Sequence, residues 1–369
     1  MLTRLYVDNF RCLVNFELKL DRLNLLMGEN GSGKTTVFEV LRRLQGFIGG
    51  RLNTDEAFPL EDLTRWQQQL NVQRFEVEFQ AEKDVYCYSL TVWHDLDQAV
   101  GIVAQEKLLI NNSLLFEAKE GSAQLYDDEF TLEAQFPAAL FQSGIAAFQE
   151  ERSGLGLLNR FHKQIARITI IRPVPATMGS ESKGDERRLS IDAGNFASWY
   201  RYLSQEHQGN ILELTQQLRD VIPGFDSFSL REAGEKVRVL KVLMRNAKDA
   251  KPLPYNFSEL SDGQRQLILL YTLLYGVKGE GYCLFLDEPD NYVALREIQP
   301  WLTSLQDACG NEISQAVLIS HHPEITDYLA ASKGRWFERP DNGPVRVKDM
   351  PPPTDGLTAS ETIARGWVE

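Results

Sequence analysis

Leu23-Asn24-Leu25-Leu26-Met27, followed by Gly28-Glu29-Asn30-Gly31-Ser32-Gly33-Lys34-Thr35-Thr36, is the stretch that decides the fold. The first five residues are a largely apolar run of strand length. The next eight fit G-x-x-x-x-G-K-[ST], and a helix pattern follows from Lys34 to about Leu44. Strand, glycine-rich loop and helix, in that order, are what a phosphate-binding loop requires. Gly28, Gly31 and Gly33 let the backbone curl and present N–H groups to phosphate oxygens. The helix N-terminus adds partial positive charge. Lys34 brings a point charge to the β- and γ-phosphates, and Thr35 offers a hydroxyl to Mg²⁺. Asn30, Gly31, Ser32, Gly33, Lys34, Thr35 and Thr36 are therefore the expected ATP contacts.

Three later stretches carry matching chemistry. Tyr282–Leu286 is a short apolar run, as expected of a buried parallel strand, and it ends in Asp287-Glu288. Adjacent carboxylates at such an edge are costly unless a cation or a reaction uses them. Asp287 is placed to hold Mg²⁺ and Glu288 to orient and polarise an attacking water. A second apolar run, Ala316–Ile319, ends in Ser320-His321-His322-Pro323. His321, rather than His322, is the expected γ-phosphate contact. Between the loop and the carboxylates stands Leu260-Ser261-Asp262-Gly263-Gln264, ahead of the apolar run Leu267–Val277. That run is too short to span a bilayer and reads as a buried helix.

Together these motifs resemble the ATPase heads of the ABC type, in the branch of SMC, RecF and OLD ATPases rather than transporters. Val7-Asp8-Asn9-Phe10-Arg11 is similar to the entry strand of that group, and Phe257–Leu274 to its signature segment. Lys34 and Ser261 stand 227 residues apart, farther than in a typical transporter subunit. The resemblance covers residues 1–120 and 250–340 well and the middle poorly. It implies an α/β P-loop NTPase of ABC/SMC-head type, with a central mostly parallel sheet, an antiparallel β subdomain and a helical lobe. It also implies that Ser261 and Gly263 close over the ATP of a second subunit, giving a homodimer with ATP sandwiched in it. Arg11 is implied near the nucleotide. A glutamine linking Mg²⁺ to the second lobe is also implied, with Gln142 chosen and Gln80 as the alternative. The family's segment after the carboxylates often communicates across the dimer. Here it reads Asp290-Asn291-Tyr292-Val293-Ala294-Leu295, and Asn291 is the residue able to serve.

The expected organisation is a first ATPase lobe at 1–140, an insertion of helical or mixed structure at 141–250, a second lobe at 251–340 and a tail at 341–369. Strands are expected at Leu2–Val7, Asn15–Leu20, Arg74–Gln80, Val85–Trp93 and Val100–Ile110, with a turn at Asn111-Asn112. Helices are expected at Leu155–Ile165, Asn195–Gln205 and Asn210–Val221, a strand at Arg167–Arg172 and a mobile loop at Ala176–Ser190. Pro351-Pro352-Pro353 breaks any element, and Thr358 caps a last short helix with Glu361 three residues on. No sustained heptad pattern appears, which excludes a long coiled-coil arm. The tail reads as too short for a nuclease domain, so any cutting is expected from a separate effector protein.

With 369 residues and 43% hydrophobic content, the chain has material for a large core. The four cysteines form no CxxC pair, which speaks against zinc or a disulfide framework. No signal peptide is read, and a cytoplasmic protein without membrane contact is expected. The net charge of −13 argues against general coating of nucleic acid. Yet residues 151–190 carry eight Lys/Arg against four Asp/Glu, and residues 225–251 seven against four. These stretches leave open a DNA-binding ATPase of RecF-like type, or contact with an acidic protein. A transporter subunit is the least favoured reading.

Overall fold

In the computed structural model, which describes residues 1–67, 70–148, 152–246, 251–350 and 356–367, the first third of the chain lays down an eight-stranded antiparallel sheet. Its spatial order is Phe16–Lys19, Leu2–Asp8, Val72–Ala81, Asp84–Asp95, Val100–Ile110, Ser113–Lys119, Ser122–Tyr126 and Leu132–Pro137. Period-two alternation explains the central strands. Phe75, Val77 and Phe79 are buried on one face. On the other, Glu76 and Glu78 meet Arg4 at 2.7 and 3.2 Å. The Asn111-Asn112 turn has both residues at positive φ, 50° and 68°, which asparagine tolerates better than most side chains. The last three strands were not expected. They are short, and the final one is mostly exposed, so it carries no clean apolar face.

Two compact units form. The first holds Met1–Asp21, Leu26–Ile168 and Arg335–Met350; the second holds Arg22–Leu25, Thr169–Gly334 and the C-terminal segment. In the first, helix Lys34–Ile48 buries Val37, Phe38, Leu41, Leu44 and Phe47. Phe58 lies between Phe47 and Phe75, with ring centroids 5.6 and 4.6 Å away. Helix Gly156–Ala166 sets Phe161 against Tyr86 and Tyr88.

The second unit contains the parallel pair Cys283–Asp287 and Gln315–Ile319, all ten residues buried. Ile168–Ile171 flanks the former and the start of Leu23–Gly28 the latter. Full burial on both faces is why these strands read as unbroken apolar runs. Helices Phe196–Glu206 and Gln208–Val221 lie close to expectation.

Sheet as well as helix occurs in the part of the chain read as helical or mixed. This unit also holds an antiparallel sheet of Glu181–Ser182, Arg238–Met244, Phe225–Glu232 and Leu253–Asn256. Its strands are half-buried and rich in charge, which masked their alternation. Nor is Ala176–Ser190 left to itself, since Glu181 and Ser182 pair with Val239 and Arg238. Helices Leu295–Ala308 and Pro323–Lys333 were also unexpected. Pro300 lies inside the first; Pro323 opens the second, where a missing N–H costs nothing. Helix Ala359–Ala364 begins with the expected Thr358–Glu361 capping box, and Ser360 bonds Asp327 through its amide and hydroxyl at 2.7 and 2.9 Å. The expected break at Pro351–Pro353 lies outside the described residues. Among those described, no helix is long and apolar enough to cross a membrane.

Candidate nucleotide site

The phosphate loop belongs to the first unit. Gly28, Gly31 and Gly33 take φ values of 142°, 78° and 98°, a region side chains rarely adopt. A Cβ on Gly28 would stand 2.2 Å from the Phe337 carbonyl oxygen. Lys34 is buried and donates to the carbonyls of Gly28 at 2.7 Å and Glu29 at 2.9 Å, and to Ser32 Oγ at 3.3 Å. A loop wound around a buried ammonium is a preformed anion cradle. Asn30 and Thr35 are exposed and Thr36 half-buried, with Cys12 Sγ 3.8 Å from Thr36 Oγ1. Sequence reasoning missed Arg339, which donates to the loop carbonyl of Gly31 at 3.1 Å and to Asn342 and Gly343 at 2.9 Å.

The carboxylates and histidines belong to the second unit. Asp287 pairs in register with Ile319, so the SHHP segment leaves its strand beside the carboxylates. Asp287 is 4% exposed. Glu288 has φ 51°, a strained value for a glutamate. Its carboxylate accepts from Asn291 Nδ2 at 2.9 Å. Asp290 is buried, hydrogen-bonded to Ser320, and its Oδ1 has no hydrogen-bond partner among the described residues. Burial pushes its carboxyl above the ordinary range, against the Ser320 bond. Ser320 Oγ also accepts the His322 amide at 3.0 Å. His322 Nδ1 accepts from the Glu324 amide at 3.2 Å, so it caps helix Pro323–Lys333. His321 is exposed.

The signature lies in the same unit. Ser261 and Gln264 form a reciprocal cap on helix Asp262–Tyr271, at 3.3 and 3.1 Å. Gly263 lies against the chain after the carboxylates: a Cβ there would be 2.6 Å from the Tyr292 oxygen. Gln266 donates to the Pro289 carbonyl at 2.7 Å. The segment after the carboxylates is thus bonded to the signature helix, to Glu288 and to the SHHP strand.

Two implied residues stand in settings the sequence did not show. Arg11 bonds Asp62 at 2.5 Å and also Glu39, and both acids are shared with Arg43. Its guanidinium is thereby engaged within the first unit. Gln142 is exposed, while the next two residues are clamped by buried Glu106. That carboxylate accepts from Ser143 Oγ at 2.5 Å, the Gly144 amide at 2.7 Å and Tyr88 at 2.9 Å. Gln80 sits at a strand end, exchanging backbone bonds with Met1.

Thr35 and Asp287 are hard oxygen donors of the kind Mg²⁺ takes. No group of three or more His, Cys, Asp or Glu among the described residues is arranged to hold a metal. A phosphate-bound Mg²⁺ needs only one or two protein oxygens, so the chemistry of either residue, each in its own unit, fits it.

Residues 1–134 match the AAA ATPase domain family. A stretch of 48 residues is 46% identical to an OLD nuclease of Thermus scotoductus, covering 13% of this chain and 9% of that protein. A solved SMC head bound to the C-winged helix domain of ScpA is 11% identical, with a TM-score of 0.58 over 98% of this chain and 99% of that one. This chain has the fold of an SMC head. An SMC head domain from Thermotoga maritima is 12% identical with a TM-score of 0.49, over 95% of this chain and 99% of that one.

Proposed function

We propose that the chain is a Mg²⁺-dependent ATPase that pairs with a second copy around ATP and signals its closed state to a separate effector protein. The observation that carries this reading is the glycine-shaped loop wound around buried Lys34, in a chain with an SMC-type head fold. Lys34 contacts the β- and γ-phosphates. Glu288 orients the attacking water and accepts its proton, and His321 contacts the γ-phosphate. Thr35, Asp287 and Gln142 are the residues to hold Mg²⁺, which would neutralise charge on the transferred phosphoryl group. Ser261 and Gly263 meet the ATP of the second copy. Binding closes the pair and hydrolysis reopens it. A role in bacterial phage defence belongs to this reading through the resemblance of the motifs to those of OLD ATPases.

Steady-state ATP hydrolysis, with Glu288→Gln as the comparison, tests the reading. The variant should bind ATP, lose turnover about 10²- to 10⁴-fold, and accumulate as dimer. Turnover at the wild-type rate would remove Glu288 as the base. Ser261→Arg should bind ATP without dimerising; a normal dimer would overturn the cross-subunit arrangement.

The second reading, a DNA-binding ATPase, is favoured by exposed Lys183, Arg187 and Arg188. Against it, Glu181, Asp185 and Glu186 are exposed among them. Salt-sensitive stimulation by duplex DNA, lost when Arg187 and Arg188 are reversed in charge, would establish this alternative.

A further inference from the structure

An exposed tryptophan is attached to the phosphate loop through a single arginine. Trp66 leaves 45% of its surface in solvent, although the chain on either side of it is fastened. Buried Asn9 accepts the Thr64 amide at 3.1 Å and donates to the Leu70 and Val72 carbonyls at 2.7 and 2.9 Å. One asparagine thus pins the segment before and after Trp66. The Arg339 guanidinium lies 5.5 Å from the indole centroid while donating to the Gly31 carbonyl of the phosphate loop. All of these residues belong to the first unit.

Nearly half of this large aromatic side chain stays in water, and that exposed part gains nothing for folding. It does prepare a stacking surface at low ordering cost. The molecule that carries a flat aromatic system together with phosphates for the adjoining loop is a nucleoside triphosphate. We propose that Trp66, braced by Arg339, is the base-stacking platform of the nucleotide site, and that it selects nucleoside triphosphates over bare polyphosphate. Every base has a π-face, so stacking alone favours a base without choosing strongly among bases. The proposal rests on the nucleotide reading of the loop and adds the part of the ligand that the loop does not touch.

The test compares ATP with inorganic tripolyphosphate, both with Mg²⁺, by calorimetric titration of wild type, Trp66→Ala, Trp66→Phe and Arg339→Ala. Removing one stacking partner should weaken ATP about tenfold in Trp66→Ala. Tripolyphosphate affinity should not change in that variant, which also shows that its loop remains folded. Trp66→Phe should restore most of the loss. Arg339→Ala should weaken ATP more than tripolyphosphate. Equal weakening of both ligands in Trp66→Ala would make the ring a strap on the loop, and unchanged ATP affinity would leave it no ligand role; either result overturns the platform. Failure of the underlying reading looks different: wild type would then bind neither ligand, or Lys34→Ala would bind both as well as wild type.

Discussion

At the phosphate loop, the buried ammonium of Lys34 donates to Gly28, Glu29 and Ser32, and glycines supply the curvature. At the turn after Asp287, buried Asp290 keeps one oxygen without a hydrogen-bond partner among the described residues, and Glu288, not a glycine, takes the left-handed backbone. The bonds from Lys34 to Gly28, Glu29 and Ser32 span six residues at most, with Arg339 on Gly31 as a long-range addition. The turn is strained and depends on groups far along the chain, at Ser320, Gln266 and Gly263. A satisfied cradle suits constant phosphate binding. A strained carboxylate turn, bonded to both the signature helix and the SHHP strand, suits an element that changes state.

The largest effect that bears on this contrast is expected at Lys34. Lys34→Ala should weaken ATP binding roughly 100-fold, from about 2–5 kcal/mol lost on truncating a buried hydrogen-bonded charge. Equilibrium titration measures it, and near-normal affinity would mean that ATP is not held by this loop. Next comes Gly28→Ala, which meets both the 142° φ and the 2.2 Å approach to Phe337. It should lower stability by about 1–3 kcal/mol in denaturant unfolding. Gly263→Ala meets the Tyr292 oxygen at 2.6 Å without a positive φ. Its cost should fall near the lower end of the overpacking range, about 1 kcal/mol. If Gly263→Ala proves the more damaging of the two, the turn is the tighter region and the contrast reverses.

The smallest effect concerns Asp290. A carboxyl raised by burial binds its proton more tightly folded than unfolded, so its contribution to stability falls as pH rises through the folded value. Asp290→Asn removes that ionisation and leaves an acceptor for Ser320. The variant should be slightly more stable than wild type near pH 7, by no more than about 1 kcal/mol. The difference should vanish as pH drops below the ordinary Asp range, about 4. Melting curves across that range decide it; a constant offset would show that burial does not govern this carboxyl.

The nucleotide loop was legible because its chemistry is local. Glycine positions, a lysine and a helix start lie within eight residues, and backbone geometry does the rest. The fully buried strands at Cys283–Asp287 and Gln315–Ile319 were legible for a related reason: burial on both faces writes an unbroken apolar run. The sheet around Phe225–Glu232 and Arg238–Met244 was not. Its strands are half-buried and interleave charge with apolar residues, so composition hid the pairing. His321 and His322 show the same division on a small scale. Sequence placed both at the strand's end, while only packing showed that His322 serves as a helix cap.

Taken by itself, the sequence determined the phosphate loop and the order of the motifs, because each is set by short-range pattern and backbone chemistry; the type of fold followed from the resemblance those motifs carry. Tertiary structure alone decided that Arg11 is engaged with Asp62 and Glu39, that Asn9 pins the segment bearing Trp66, and that Arg339 ties that ring to Gly31. These partners lie 28 to 308 residues apart along the chain. No local pattern encodes which of many exposed or charged side chains a folded surface will bring together.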